Sequence, residues 1–128
     1  MNISEEEVYR FILNQIDSVP QMEALLLLWE NRPKQWSENE IAARLYVGVD
    51  VVRNIMQELL RRRLVATSMD SPKLFWYETK PGDGDRLIEA VAATYRHNLV
   101  RVSTLIHTKA SSAVRDFAQA FKFKKERD

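Results

Sequence analysis

The stretch Ser37–Val65, SENEIAARLYVGVDVVRNIMQELLRRRLV, decides how this 128-residue chain is read. Ser37 followed by Glu40 is a Ser-x-x-Glu spacing. The serine hydroxyl caps the first N–H groups of a helix and the glutamate reaches back to the serine's own N–H. Ile41, Ala42 and Leu45 then form the buried stripe of that helix. Val47-Gly48-Val49 breaks the pattern for three residues, short enough to force the next helix to cross steeply. The next helix runs from about Val49 to Arg62, with Val52, Ile55, Met56 and Leu59 inward. Leu64-Val65 leads out of it.

Upstream, Ser4 caps a helix starting at Glu5, with Glu7 at capping-box spacing and three glutamates suiting the positive end of the helix dipole. Val8, Phe11, Ile12 and Ile16 mark its apolar face. Ser18 opens a second helix, with Pro20 in its first turn and Gln21 three residues on. Its centre, Ala24-Leu25-Leu26-Leu27-Leu28-Trp29, is apolar nearly all round and predicts the central core helix. Pro33 ends it. Downstream, Thr67–Met69 and Leu74–Thr79 read as two strands around the turn Asp70-Ser71-Pro72-Lys73.

Lys80-Pro81-Gly82-Asp83-Gly84 is the clearest boundary in the chain. Beyond it a single helix is expected from about Asp85 to Lys109. Ile88, Ala92, Tyr95, Leu99, Val102 and Ile106 alternate steps of four and three along it, a heptad seam. It would be roughly 37 Å long, more than so small a domain needs for its own core. Ser111 or Ser112 starts a last helix carrying Val114, Phe117, Ala118 and Phe121. The chain ends in Phe123 among Lys122, Lys124 and Lys125. Such mixing suits an anionic partner, or phenylalanines docked in a core with the lysines in water.

Composition narrows the function. No cysteine excludes disulfides, thiolate zinc sites and cysteine nucleophiles, and three glycines exclude Gly-rich phosphate loops. The two histidines, His97 and His107, are ten residues apart on one expected helix and diverge by roughly 80°. They cannot chelate one metal, and no third group is spaced to orient an imidazole beside Ser111-Ser112. We therefore expect no enzyme, no metal and no cofactor. No apolar run reaches the roughly 18 residues of a membrane span. The acidic start MNISEEEVYR is the reverse of a signal peptide, so a soluble, cytoplasmic protein is expected. Residues 1–60 carry 5 basic and 10 acidic side chains and residues 61–128 carry 14 and 8. The basic back half suits a polyanion, or the two halves attract each other.

Helix, core helix, helix, short turn, helix, hairpin is the order of a winged helix-turn-helix, a mainly α fold with a small β-hairpin (α+β). Over about residues 19–80 the chain resembles the bacterial winged-helix transcriptional regulators of the MarR type. The segments are then an N-terminal helix (1–18), a winged helix-turn-helix (19–80) and C-terminal helices for dimerisation (84–128). The resemblance implies a recognition helix in the major groove of double-stranded DNA, with Asp50, Val51, Arg53, Asn54 and Gln57 outward. Arginine takes guanine, and asparagine or glutamine takes adenine. Arg61, Arg62 and wing Lys73 would meet phosphates.

The resemblance further implies a homodimer through the N- and C-terminal helices. Two copies would pack along Ile88, Ala92, Tyr95, Leu99, Val102 and Ile106, with Phe117 and Phe121 adding surface. The other arrangement folds the long helix back on residues 5–17. A small-molecule effector would sit between the two regions, near Trp29, Trp36, Tyr46 and Tyr95, which also read as core. Four positions depart from the family pattern. Tyr46 stands where the turn glycine is common, and Gly48 where Ser or Thr caps the recognition helix. Asp50 stands at a small or polar position, and Arg63 where glycine precedes Leu-Val. These departures keep open an alternative in which the fold is a protein–protein adaptor with weak or no DNA binding.

Overall fold

The computed structural model describes residues 3–109. The elements are α1 (Glu5–Gln15), α2 (Val19–Glu30), β1 (Trp36–Ser37), α3 (Glu38–Leu45), α4 (Val49–Arg61), β2 (Ala66–Thr67), β3 (Leu74–Trp76), α5 (Gly84–His97) and a further helix over residues 99–109, here α6. This is the expected α+β winged helix-turn-helix with helices added at both ends. The last helix expected after Ser111 lies outside the described residues, as do Phe117 and Phe121.

The caps are as the sequence dictates. Ser4 and Ser18 accept from the N–H of Glu7 and Gln21. At α3 the box is complete: Glu40 N–H donates to Ser37 Oγ and Ser37 N–H to Glu40 Oε1, each at 3.1 Å. Held by the Ser37 N–H first, and by Lys34 nearby, the Glu40 carboxyl lies below its ordinary range. In α2, Met22 and the run Ala24–Trp29 are all buried. One apolar cluster then draws Val8 and Ile12 of α1, Ile41 of α3, Val52 and Met56 of α4, Ile88 and Val91 of α5, and Val102 and Ile106 of α6 around that helix.

The hairpin differs from expectation in two ways. Its strands are shorter, ending at Thr67 and Trp76, because Tyr77 turns inward. Tyr77 meets Trp29 edge-on at 5.0 Å and donates a 2.8 Å hydrogen bond to Asp85. There is also a third strand. Trp36↔Phe75 and Ser37↔Leu74 pair antiparallel on one edge of β3, and Ala66↔Trp76 and Thr67↔Phe75 on the other, giving the order β1-β3-β2. The segment read as a boundary is a tied turn. Gly82 takes φ 67°, and the Lys80 N–H donates to Asp85 at 3.0 Å, which with Tyr77 holds that carboxyl below its ordinary range.

The single long helix is corrected to two. α5 ends at Asn98, whose backbone (φ −128°, ψ 50°) is not helical. Ile88 and Tyr95 before the break and Val102 and Ile106 after it are buried in the chain's own core, Ala92 is half-buried, and Leu99 is 49% exposed. The face assigned to a second copy is thus spent largely within the chain: α5 packs along α1.

Two non-glycine residues lie in the left-handed region, Tyr46 at the end of α3 (φ 58°) and Arg63 after α4 (φ 60°). Both are positions where the resemblance had led us to look for glycine. A Cβ there costs about 1–2 kcal/mol, offset in part by the larger unfolded-state entropy of glycine. Tyr46 is 94% exposed, so its ring returns little packing energy. Tyr46→Gly is therefore expected to stabilise the chain by about 0.5–1 kcal/mol and to raise Tm by a few degrees in thermal unfolding.

Candidate nucleic-acid interface

α4 is amphipathic because its apolar residues recur every three to four positions. Val52, Ile55, Met56 and Leu59 are buried, which fixes the opposite side outward. The steep approach of α3 comes from Tyr46, whose left-handed turn lets the Val47 N–H bond the Ala42 carbonyl at 3.2 Å and redirects the chain. Gly48 is the N-cap of α4 and supplies no side-chain bond to the first-turn N–H groups.

On the outer side Asp50, Val51, Arg53, Asn54 and Gln57 are all exposed, and so are Arg61 and wing Lys73. Asn54, Gln57 and Lys73 have no hydrogen-bond partner among the described residues. Arg53 does. Its Nε and Nη2 donate to the two Glu38 oxygens at 3.3 and 3.4 Å, and Nη1 lies 3.6 Å from Asp50 Oδ1. Arg61 is bonded to Glu58; that guanidinium, and the charge of Arg62, hold the Glu58 carboxyl below its ordinary range. Glu38 was missed in the sequence because it lies on α3, 15 residues from its partner. Only the crossing of the two helices brings them together.

Arg62, grouped with the phosphate contacts, is elsewhere. Its side chain is only 14% exposed. It donates to the Gln15 carbonyl, to Asp17 at 2.6 Å and to Glu58 at 2.9 Å, and so ties the end of α4 to the α1–α2 corner. The helix ends at Arg61, Arg62 is its C-cap and Arg63 is left-handed, so the three arginines leave the backbone in different directions.

The aromatic residues named for an effector pocket do not come together. Trp29, Trp36 and Tyr95 are core, and Tyr46 is alone on the surface. A groove of 410 Å³ lies instead between α1 and α6, lined by Tyr9, Leu13, Arg101, Thr104, Leu105 and Thr108. The Tyr9 hydroxyl is buried without a partner among the described residues, and Arg101 stands 5.2 Å over its ring. α5 is sewn to α2 by Tyr95, which donates to Glu23 at 2.7 Å, and by Arg96, which grips Glu30 at 2.9 and 3.1 Å. Burial, then the bond to Glu23, pushes the Tyr95 phenol up, so it remains a donor at any ordinary pH. Among the described residues no three His, Asp or Glu side chains are grouped to hold a metal. No described helix is long and apolar enough to cross a membrane.

No family model and no curated protein matches the chain by sequence. Solved structures do match in shape. The Staphylococcus aureus MepR–DNA complex superposes with a TM-score of 0.55 at 17% identity, over 97% of this chain and 91% of that one. MepR itself, a transcription regulator of the S. aureus multidrug efflux pump MepA, gives 0.53 at 20%, over 98% and 100%. A MarR family protein from Bacillus stearothermophilus gives 0.52 at 17%, over 96% and 83%. The chain is similar to them in fold: it is a winged helix-turn-helix with helices added at both ends.

Proposed function

We propose that this chain is a cytoplasmic transcriptional regulator, without catalytic activity, that binds double-stranded DNA as a homodimer and lays α4 in the major groove. The observation that carries the reading is the division of α4 into two sides. One side is locked in the core. The other offers Arg53, Asn54 and Gln57 at the residue types and spacing that read base edges. The fold it shares with a regulator solved on DNA supports the same use. Arg61 and Lys73, both exposed, would meet phosphates. The second copy would meet this one over the exposed Leu99 and Val100, at a spacing of about one DNA turn between recognition helices. A small-molecule effector would enter the groove between α1 and α6.

Anisotropy titration with mixed genomic fragments at two salt concentrations tests the reading. Affinity is expected to fall steeply with salt. Arg53→Ala is expected to cost about tenfold on the preferred site and to relax base preference there, with little effect on other sites. If no fragment binds at low salt while the protein is folded and dimeric, DNA is not its ligand and the adaptor reading takes its place.

A further inference from the structure

The recognition face carries its own opposition. Arg53, its best base reader, is bound through two N–H groups by Glu38 and flanked by the almost fully exposed Asp50. Arg61 is matched by Glu58. Across α4 and the start of α3, Glu38, Asp50 and Glu58 are therefore engaged with Arg53, Arg61 and Arg62, charge for charge. Lys73 on the wing, like Arg63 after α4 and Arg44 on α3, is an exposed cation with no side-chain partner among the described residues. Generic attraction to duplex DNA comes from cations that displace counterions from phosphates. This surface has little to spend on it.

Resting on the DNA-binding reading, we propose that Glu38 is a specificity-determining residue. With Asp50, it holds Arg53 in a carboxylate clamp that rejects non-cognate duplex and releases the guanidinium only to a base edge that takes both of its N–H donors. A guanine presents O6 and N7 in a fork equivalent to the two Glu38 oxygens, so the exchange conserves paired bonds. A phosphate reached from the same place offers equivalent oxygens but sits beside the uncovered Glu38 and Asp50, and is repelled. The partially exposed pair adds little to folding stability. Its effect is on discrimination, by penalising the wrong ligand.

The test is a double-mutant cycle on the full chain. Two probes are used: a short duplex of random sequence, and a duplex that the wild-type chain selects from that pool. Glu38→Gln is expected to raise affinity for the random duplex by about fivefold and to steepen its salt dependence by roughly one phosphate equivalent, while the selected duplex gains less. Asp50→Asn, at a site too exposed to affect folding, shifts both in the same direction by a smaller factor. In the Arg53→Ala background Glu38→Gln is expected to change neither probe. An unchanged random-duplex affinity overturns the clamp and leaves DNA binding standing. So does a gain that persists without Arg53, since plain charge repulsion would then be the whole effect. If the wild type and every variant stay folded and bind neither probe, the DNA-binding reading falls and the clamp falls with it.

Discussion

Replacing Tyr95 with alanine is expected to cost the folded chain about 4 kcal/mol and to lower Tm by roughly 10–20 °C. The ring is 1% exposed and sits where α5 meets α2, and its hydroxyl donates to Glu23 at 2.7 Å. Truncation opens a cavity in the chain's own core and leaves the half-buried Glu23 with one partner fewer. Tyr95→Phe, which keeps the ring, is expected to lose only about 1–1.5 kcal/mol. Chemical denaturation at several protein concentrations checks the assignment. A residue of the single-chain core gives the same loss at every concentration, whereas a residue between two copies gives no loss at low concentration and one that grows as protein is added. The second pattern would return Tyr95 to the interface expected from the heptad seam.

Arg62→Ala is expected to destabilise by about 2–3 kcal/mol, and its neighbour Arg61→Ala to leave thermal unfolding unchanged. The difference lies in what each guanidinium touches. Arg62 is mostly buried and joins Glu58, four residues back, to Asp17 and the Gln15 carbonyl, 45 and 47 residues away. Removing it strips charge-assisted bonds from partners that water only partly reaches. Asp17 is half exposed and retains Lys109 at 3.6 Å, which keeps the loss below that of a fully buried pair. Arg61 pairs only with Glu58 at the surface, where ion pairs contribute little. The DNA titration should invert the order. Arg61→Ala reduces the salt slope by about one phosphate, and Arg62→Ala leaves it unchanged at temperatures where the variant is folded. Equal stability of the two variants would show that Arg62 is not the tie described.

Much of this could be read locally. Ser4, Ser18 and Ser37 announce helix starts because a hydroxyl at the N-cap satisfies groups the helix cannot. The apolar spacing of α4 fixes which side is outward. Two of the four positions singled out as departures, Tyr46 and Arg63, are the non-glycine left-handed residues of the described chain, so the missing glycines marked a backbone demand. What could not be read depends on distance or on phase. β1 is two residues long, too short to show a period, and is defined by pairing with Phe75, 39 positions on. The seam from Ile88 to Ile106 counts steps of four and three whether or not the helix breaks. Only the poor helix-forming character of Asn98 hinted at the joint. Arg62 looked like its neighbours because composition carries no direction. Glu38 was invisible as a partner of Arg53 because the two meet through the angle between α3 and α4.

The joint at Asn98 also bears on how such a sequence can drift. In an unbroken helix, one inserted residue turns everything beyond it by about 100° and would swing Val102 and Ile106 out of place. A non-helical residue between α5 and α6 uncouples their rotational settings. Lengthening or shortening the chain there would leave Ile88, Val91 and Tyr95 seated in the core beside α1 while α6 finds a new angle. Relatives that differ in length should therefore gain or lose residues at this point rather than within either helix.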